Sequence, residues 1–156
     1  MNRQDYYHES NMPRANSIVP AASAVVADKD DRILLHKRKD NKSWSLLGGA
    51  MEPGESLTET IIREVQEEAG LIVRVDKLVG VYSDPGHIIE YSDGEIRQQF
   101  SICFACSILS GKLSLSEESY ELKFFSREEM EKINIHPAQM LRINDYFEMS
   151  ERAIIR

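Results

Sequence analysis

Three glutamates, Glu64, Glu67 and Glu68, stand close together in the stretch "GGAMEPGESLTETIIREVQEEAGL", Gly48 to Leu71. Clustered carboxylate oxygens suit hard divalent cations such as magnesium and manganese, and a carboxylate can also orient or deprotonate a water molecule. Arg63 precedes them and can pair with one or two of the three. From the triplet alone, a solvated acidic helix surface is the commoner arrangement, because charge runs on helices usually face water.

The element that must position these residues is legible from local rules. Ser56 with Glu59 three residues later forms a capping-box pattern, with Pro53-Gly54 as the turn before it and Gly70 as the C-terminal stop. The spacing therefore predicts a helix from Leu57 to Ala69. At ~100° per residue, Ile61, Ile62, Val65 and Ala69 share one side, and the glutamates occupy an arc beside it. Glu64 and Glu68 repel at i,i+4, and the field at the helix C-terminus adds to a cost of roughly a few tenths of a kcal/mol. The cluster asks for a compensating cation. The glycine-rich loop ahead of the helix leaves backbone carbonyls and amides open to a metal ion or a phosphate oxygen.

From Gly49 the residues read Gly, five others, Glu55, seven others, then "REVQEEAGL". This run is similar at every specified position to the Nudix box, G-x5-E-x7-R-E-U-x-E-E-x-G-U with U aliphatic. The resemblance implies an α+β fold, a Nudix-type α/β/α sandwich with a central mixed β-sheet. It also implies a metal-dependent pyrophosphohydrolase, using Mg2+ or Mn2+, that cleaves the diphosphate bridge of a nucleoside diphosphate linked to another group. A nucleoside triphosphate, ADP-ribose or a nucleotide-sugar would fit. Carried over by position, Glu64, Glu67, Glu68 and the Gly48 carbonyl are implied metal ligands, and one of the glutamates orients or deprotonates the water. Arg63 would hold the catalytic glutamates, and Glu55, with Glu52, would support the loop. A Nudix-fold sensor that binds nucleotide without turnover is the alternative, and the intact set of Arg63, Glu64, Glu67 and Glu68 speaks against it.

The similarity extends past the box. The segment "ILLHKRKDNKSWSLLGGAMEPGES" resembles the family's preceding strand and approach loop, with Leu47 where proline is common. The segment "SEESYELKFFSREEM" resembles the one in which a late glutamate precedes an aromatic-containing strand. Glu118 is the candidate for a further base or ligand, with Glu117 and Glu121 as rivals, and an exposed loop acid is an equally good reading of Glu118.

Substrate recognition lies outside the box. Arg38, between Lys37 and Lys39, is a candidate phosphate contact, although basic strand ends are more often solvated. Trp44, Tyr82, Tyr91 and Phe100 could stack on a base, although aromatics on strands are more often core. His87 falls in "SDPGHIIEYSDGE", which reads as a polar loop long enough to act as a specificity element.

The rest of the chain bounds these readings. With 156 residues and 42% hydrophobic content, the sequence suits one domain, 17–156, preceded by a polar arm, 1–16. A net charge of -7 argues against wrapping a polynucleotide, so a small nucleotide is the expected partner, with a homodimer also admitted. No apolar run reaches the ~18 residues of a membrane span, and the first residues lack a secretory apolar region, so no membrane partner and a cytoplasmic location are expected.

Cys103 and Cys106 have C-x-x-C spacing, but no second pair completes a zinc site, and on a strand they would face opposite sides. Two buried structural cysteines are expected. Strand-like runs are "SIVPAASAVVAD" and "RILLHKRK", joined as a hairpin, then "SWSLLGG", "LIVRVDKLVGVYS", "IRQQFSICFACSIL" and "ELKFFS". Besides the first helix, "REEMEKI" and "AQMLRINDYFEM" read as helical.

Overall fold

Period-two alternation of apolar side chains builds a sheet with two buried faces. In β2 (Ser17–Ala27), Val25 faces one core while Ala22, Ala24 and Val26 face the other; in β3 (Ile33–Arg38), Ile33 and Leu35 separate from Leu34 in the same way. The computed structural model describes residues 2–148 and 151–156, which form ten strands and three helices.

The sheet is mixed. β8 (Ile96–Gly111) runs parallel to β2 from Ser17↔Arg97 to Ala27↔Ser107. β6 (Leu71–Tyr82) and β7 (His87–Tyr91) pair antiparallel with different parts of β8. β3 meets β2 only at Ala27↔Ile33, then turns away to pair with β4 (Trp44–Ser45) and β9 (Ser119–Phe125). That divergence frees the edge of β2 at Ala21–Ala24 for β5 (Leu47–Ala50). The short β10 (Ile154–Ile155) lies parallel to β6.

Helix α1 (Leu57–Ala69) covers one face with Ile61, Val65 and Ala69, and α2 (Arg127–Met130) and α3 (Pro137–Phe147) cover the other with Met130 and Ile143. This is the expected α/β/α sandwich. Each fully buried Val, Leu or Ile contributes about 1.5–3 kcal/mol.

The first helix has the predicted bounds, and its cap has the predicted chemistry. The Glu59 N–H donates to the Ser56 hydroxyl at 3.3 Å, and the Ser56 N–H donates to the Glu59 carboxylate at 2.7 Å. Gly70 ends the helix at φ 71°, a left-handed conformation that glycine adopts without steric cost. Cys103 and Cys106 are both free and buried, in opposite cores. Among the described residues no helix is long and apolar enough to cross a membrane.

Two elements differ from the sequence reading, and a third, the polar arm, 1–16, is one whose structure that reading leaves open: the arm contributes strand β1 (Arg3–Tyr7), antiparallel to β7 in the register Arg3↔Tyr91 to Tyr7↔His87. Its backbone supplies pairing that its polar side chains do not advertise. The supposed polar loop contains β7 itself: Ile88 and Ile89 are buried between turn clusters Asp84-Pro85-Gly86 and Ser92-Asp93-Gly94, whose strong turn signals mask a five-residue strand. Finally, "REEMEKI" yields a helix only over Arg127–Met130. Beyond it the chain leaves the helix and runs against β4, where the Asn134 carbonyl accepts the Trp44 N–H at 2.9 Å and Ile135 bridges to Trp44.

Candidate active site

The loop between β5 and α1 is tied to the helix by one ion pair. The Glu55 carboxylate accepts hydrogen bonds from Arg63 Nε and, at 3.0 Å, from Arg63 Nη2. It also accepts from the Glu52 N–H at 3.0 Å and from the Thr60 hydroxyl at 3.0 Å. Arg63 first, then the Glu52 N–H, hold its pKa at about 2. Arg63 in turn donates from Nη1 to Glu64 at 2.8 Å and to Glu67 at 3.3 Å, and from Nη2 to the Ala50 carbonyl at 3.2 Å. One guanidinium therefore fixes the loop and aims two of the three glutamates.

The glutamates differ in burial. Glu68 is 6% exposed, Glu64 is partly buried, and the side chain of Glu67 is 60% exposed. The Gly48 N–H donates to Glu68 at 2.9 Å. Even so, burial, reinforced by Glu64 and Glu118, pushes the Glu68 carboxyl up to about 8 against the opposing pull of Gly48 and Arg38. Burial also raises Glu64, with Glu67 and Glu118 adding to it and Arg63 working against it.

Close packing explains both glycines at this corner. A Cβ on Gly48 would run into the backbone of Ala22 and Ser23, and one on Gly49 would run into the Glu64 carboxylate. Among the described residues no three acidic, histidine or cysteine side chains converge closely enough to enclose an ion, and Arg63 stands among the carboxylates. The donor chemistry nonetheless fits a divalent cation that prefers oxygen: burial first, and the neighbouring glutamates after it, hold Glu64 and Glu68 above the ordinary carboxylate range, and a bound cation would favour their charged forms.

These residues open onto a cleft of about 800 Å³, within the usual size of a ligand site. Several candidates from the sequence meet there. Glu117 and Glu118 line it from the loop before β9, and the Glu118 carbonyl accepts the Lys39 N–H at 3.0 Å. Arg38, Lys39, Tyr91 and His87 also line it. Arg38 is bound to Asp40 through Nε at 2.9 Å and Nη2 at 2.5 Å, so its charge is largely taken.

Other candidates lie elsewhere. Trp44 is buried in the core, edge-on to Phe125 at 4.7 Å, which removes it as a base-stacking group. Tyr82 is buried with its hydroxyl donating to Asp145 at 2.8 Å. Phe100 sits between Gln99 and Ser101, which line the cleft, and therefore faces the other side of β8. Lys37 and Glu121, paired across β3 and β9, are not part of the lining.

The far end of the cleft is built from residues that the sequence reading passed over: Arg3, His136 and Arg142. A signal existed for the last. Ala138, Arg142 and Asp145 recur at helical spacing and are all buried on α3, so a charged residue shares the helix's inner face.

The model of the family described as "NUDIX domain" matches residues 18–144. A protein of Methanocaldococcus jannaschii named "ADP-ribose pyrophosphatase" is 36% identical over 116 residues, which is 69% of this chain and 62% of that relative. The chain thus spans less than two thirds of that protein's length. A "MutT-like protein" of Streptomyces ambofaciens is 31% identical over 122 residues, 78% of this chain and 71% of the relative. Among solved structures, a "NUDIX hydrolase from Nitrosomonas europaea" superposes with a TM-score of 0.71 at 20% identity, covering 94% of this chain and 81% of that one. That last likeness is one of fold.

Proposed function

The chain belongs to the NUDIX domain family, and on that premise we propose that it is a pyrophosphohydrolase. Its substrate would be a nucleoside diphosphate linked to another group, cleaved at the diphosphate bridge with the help of Mg2+ or Mn2+. The observation that carries this reading is the Arg63 guanidinium, anchored by Glu55 and the Ala50 carbonyl while it orients Glu64 beside buried Glu68 at the cleft. The relative named "ADP-ribose pyrophosphatase" supports the same substrate class.

Glu64, Glu67, Glu68 and the Gly48 carbonyl would hold the cation. When bound, a divalent ion supplies positive charge for the diphosphate oxygens and acidifies water. The chain's own groups perform the positioning. Arg63 limits the rotamers of Glu64 and Glu67, and the Gly48 N–H fixes one oxygen of Glu68. Glu118, exposed across the cleft, is a carboxylate free to accept the proton of an attacking water. Hydrolysis forms one bond from water oxygen to phosphorus and breaks one bridging phosphorus–oxygen bond.

The test is a panel of nucleoside triphosphates, ADP-ribose and nucleotide-sugars, incubated with magnesium or manganese in water enriched in heavy oxygen. The expected products are a nucleoside monophosphate and either pyrophosphate or a phosphorylated partner group, with the label on a phosphorus of the original bridge. Tight nucleotide binding without turnover across the panel would instead identify a sensor. Release of orthophosphate without added metal would overturn the hydrolase reading.

A further inference from the structure

At the end of the cleft away from the glutamates lies a positive charge without a partner. Arg142 is 2% exposed, yet it contributes to the cleft's lining. Its Nη1 donates only to the Ala138 carbonyl, at 3.4 Å, and its buried Nε has no hydrogen-bond partner. Among the described residues it pairs with no carboxylate. Asp145, three residues further along the helix, is already engaged by the Tyr82 hydroxyl at 2.8 Å and by Arg156 Nε and Nη2, each at 3.0 Å. The Tyr82 ring, 5.0 Å from the guanidinium, offsets only part of the cost of burying it.

The surroundings sharpen the point. His87 and His136 stack at 5.2 Å with an 18° angle between their rings, and Tyr7 meets both edge-on. Burial holds both imidazoles below their ordinary pKa, and His136 Nδ1 accepts the Ala138 N–H, which fixes that nitrogen as unprotonated. These walls are neutral at pH 7. Arg3, also at this end, is shared between Asp5 at 3.2 Å and Asp40 at 3.4 Å. Arg142 is therefore left with donors unspent in a low-dielectric wall, where an anion is attracted far more strongly than in water. A guanidinium presents its donors as a planar fork that matches the oxygens of a phosphate or carboxylate.

We propose that Arg142 anchors an anion subsite, which takes a phosphate or carboxylate carried by the part of the substrate beyond the cleaved bridge. The inference rests on the pyrophosphohydrolase reading for its kinetic test and is independent of it for its binding test. It sets a buried cation, with no carboxylate partner among the described residues, on α3, in the same cleft as the acidic stripe of α1. A substrate that meets both carries negative charge at two separated places.

Two matched substrate pairs test this with wild type, Arg142→Met and Arg142→Lys. Coenzyme A and dephospho-coenzyme A differ by one phosphate, and UDP-glucuronate and UDP-glucose differ by one carboxylate, so the arms separate the two anions. Wild type is expected to favour the charged member of at least one pair by about 10–100-fold in kcat/KM, the range for a hydrogen bond to a charged group. The preference should reside in KM rather than kcat, disappear in Arg142→Met and survive in part in Arg142→Lys. The Arg142→Met protein should melt no lower than wild type, because it loses an unpaired buried charge.

Calorimetry in EDTA with adenosine 3′,5′-bisphosphate and AMP, neither of which has a bridge to cleave, provides the second measurement. At least about 10-fold tighter binding of the bisphosphate supports the subsite even with no turnover of either pair, and failure of the whole nucleotide panel as well removes the hydrolase reading without touching the subsite. Turnover without preference in either pair, together with equal binding of the two mononucleotides, overturns the subsite and leaves the hydrolase reading standing. A preference that persists undiminished in Arg142→Met also overturns it.

Discussion

Glu55 and Arg63, eight residues apart, are joined by two hydrogen bonds, one from Nε and one from Nη2 at 3.0 Å. One partner sits ahead of the helix cap and the other lies inside the helix, so the pair locks the loop to the element that carries the glutamates. The same guanidinium continues to Glu64 and Glu67.

If this pair acts as a unit, its two halves are not independent. Glu55→Gln and Arg63→Ala are each expected to lower kcat by about 100-fold, the order of loss for a catalytic group misplaced by ~1 Å. The double variant should be little worse than the poorer single one. Steady-state kinetics on the three proteins, with circular dichroism to establish folding, checks this. Losses that multiply would show that the two residues act separately.

Glu68→Gln removes a buried charge beside Glu64 without changing side-chain volume. Turnover should fall at least about 100-fold, as for removal of other preorganised electrostatic groups. The melting temperature without metal should hold or rise. Magnesium or manganese should stabilise wild type by mass action, by about 2.7 kcal/mol at one hundred times Kd, and so raise its melting temperature, and should raise that of the variant less. Equal shifts in both proteins, read by differential scanning calorimetry with an EDTA control, would remove Glu68 from the metal site.

His36 gives a pH dependence that can be isolated. It is buried, its Nδ1 lies 2.7 Å from the Ser119 hydroxyl, and burial, aided by Arg38, lowers its pKa to about 4 from 6.5. Above pH 6.5 the folded and unfolded chains are both neutral there. Between 6.5 and 4 only the unfolded chain takes up the proton, so stability falls as pH falls, and below 4 the difference is constant. Relative to His36→Asn, wild type should lose about 3 kcal/mol between pH 7 and pH 4. Urea unfolding of both proteins across that range measures the difference, in which the titrations of other groups largely cancel. Parallel curves would place His36 in contact with water in the folded state.

The two thiols should be inert. Burial raises Cys103 to about 11 and Cys106 to about 12, and the side chains occupy opposite cores. An aromatic disulfide reagent should label neither in native protein and both in urea, and reductant should leave the melting temperature unchanged. Fast labelling of the native protein would contradict this packing.

Much of the fold was legible in the sequence because local chemistry determines it. Ser56, Glu59 and Gly70 define α1 by side-chain-to-backbone bonds that require nothing distant, and the alternation in β2, β3 and β8 survives because each face meets a core. What escaped depends on partners far along the chain. Strand β7 exists because β1 and β8 flank it, and no pattern within Asp84–Glu95 announces β1. The acidic stripe and Arg63 share one helix and are readable together, whereas Arg142, His136, His87 and Arg3 come from separate elements whose meeting no linear spacing encodes. Trp44 misled for a related reason: aromatic type alone does not distinguish a residue that stacks on a base from one that packs on Phe125.

Strand β1 also bears on how the molecule avoids sticking to its own copies. In the described residues it pairs with β7 alone, so its other side is an outer rim of backbone donors and acceptors. Such rims recruit further strands unless their side chains discourage it, and Arg3, Gln4 and Asp5 place charge and polarity along this one. Strip away β1 and the rim becomes β7, with the isoleucines Ile88 and Ile89 at its centre. The polar character of the first residues is thus a shield against accretion, worn by the same strand whose Tyr7 packs edge-on against His87 and His136.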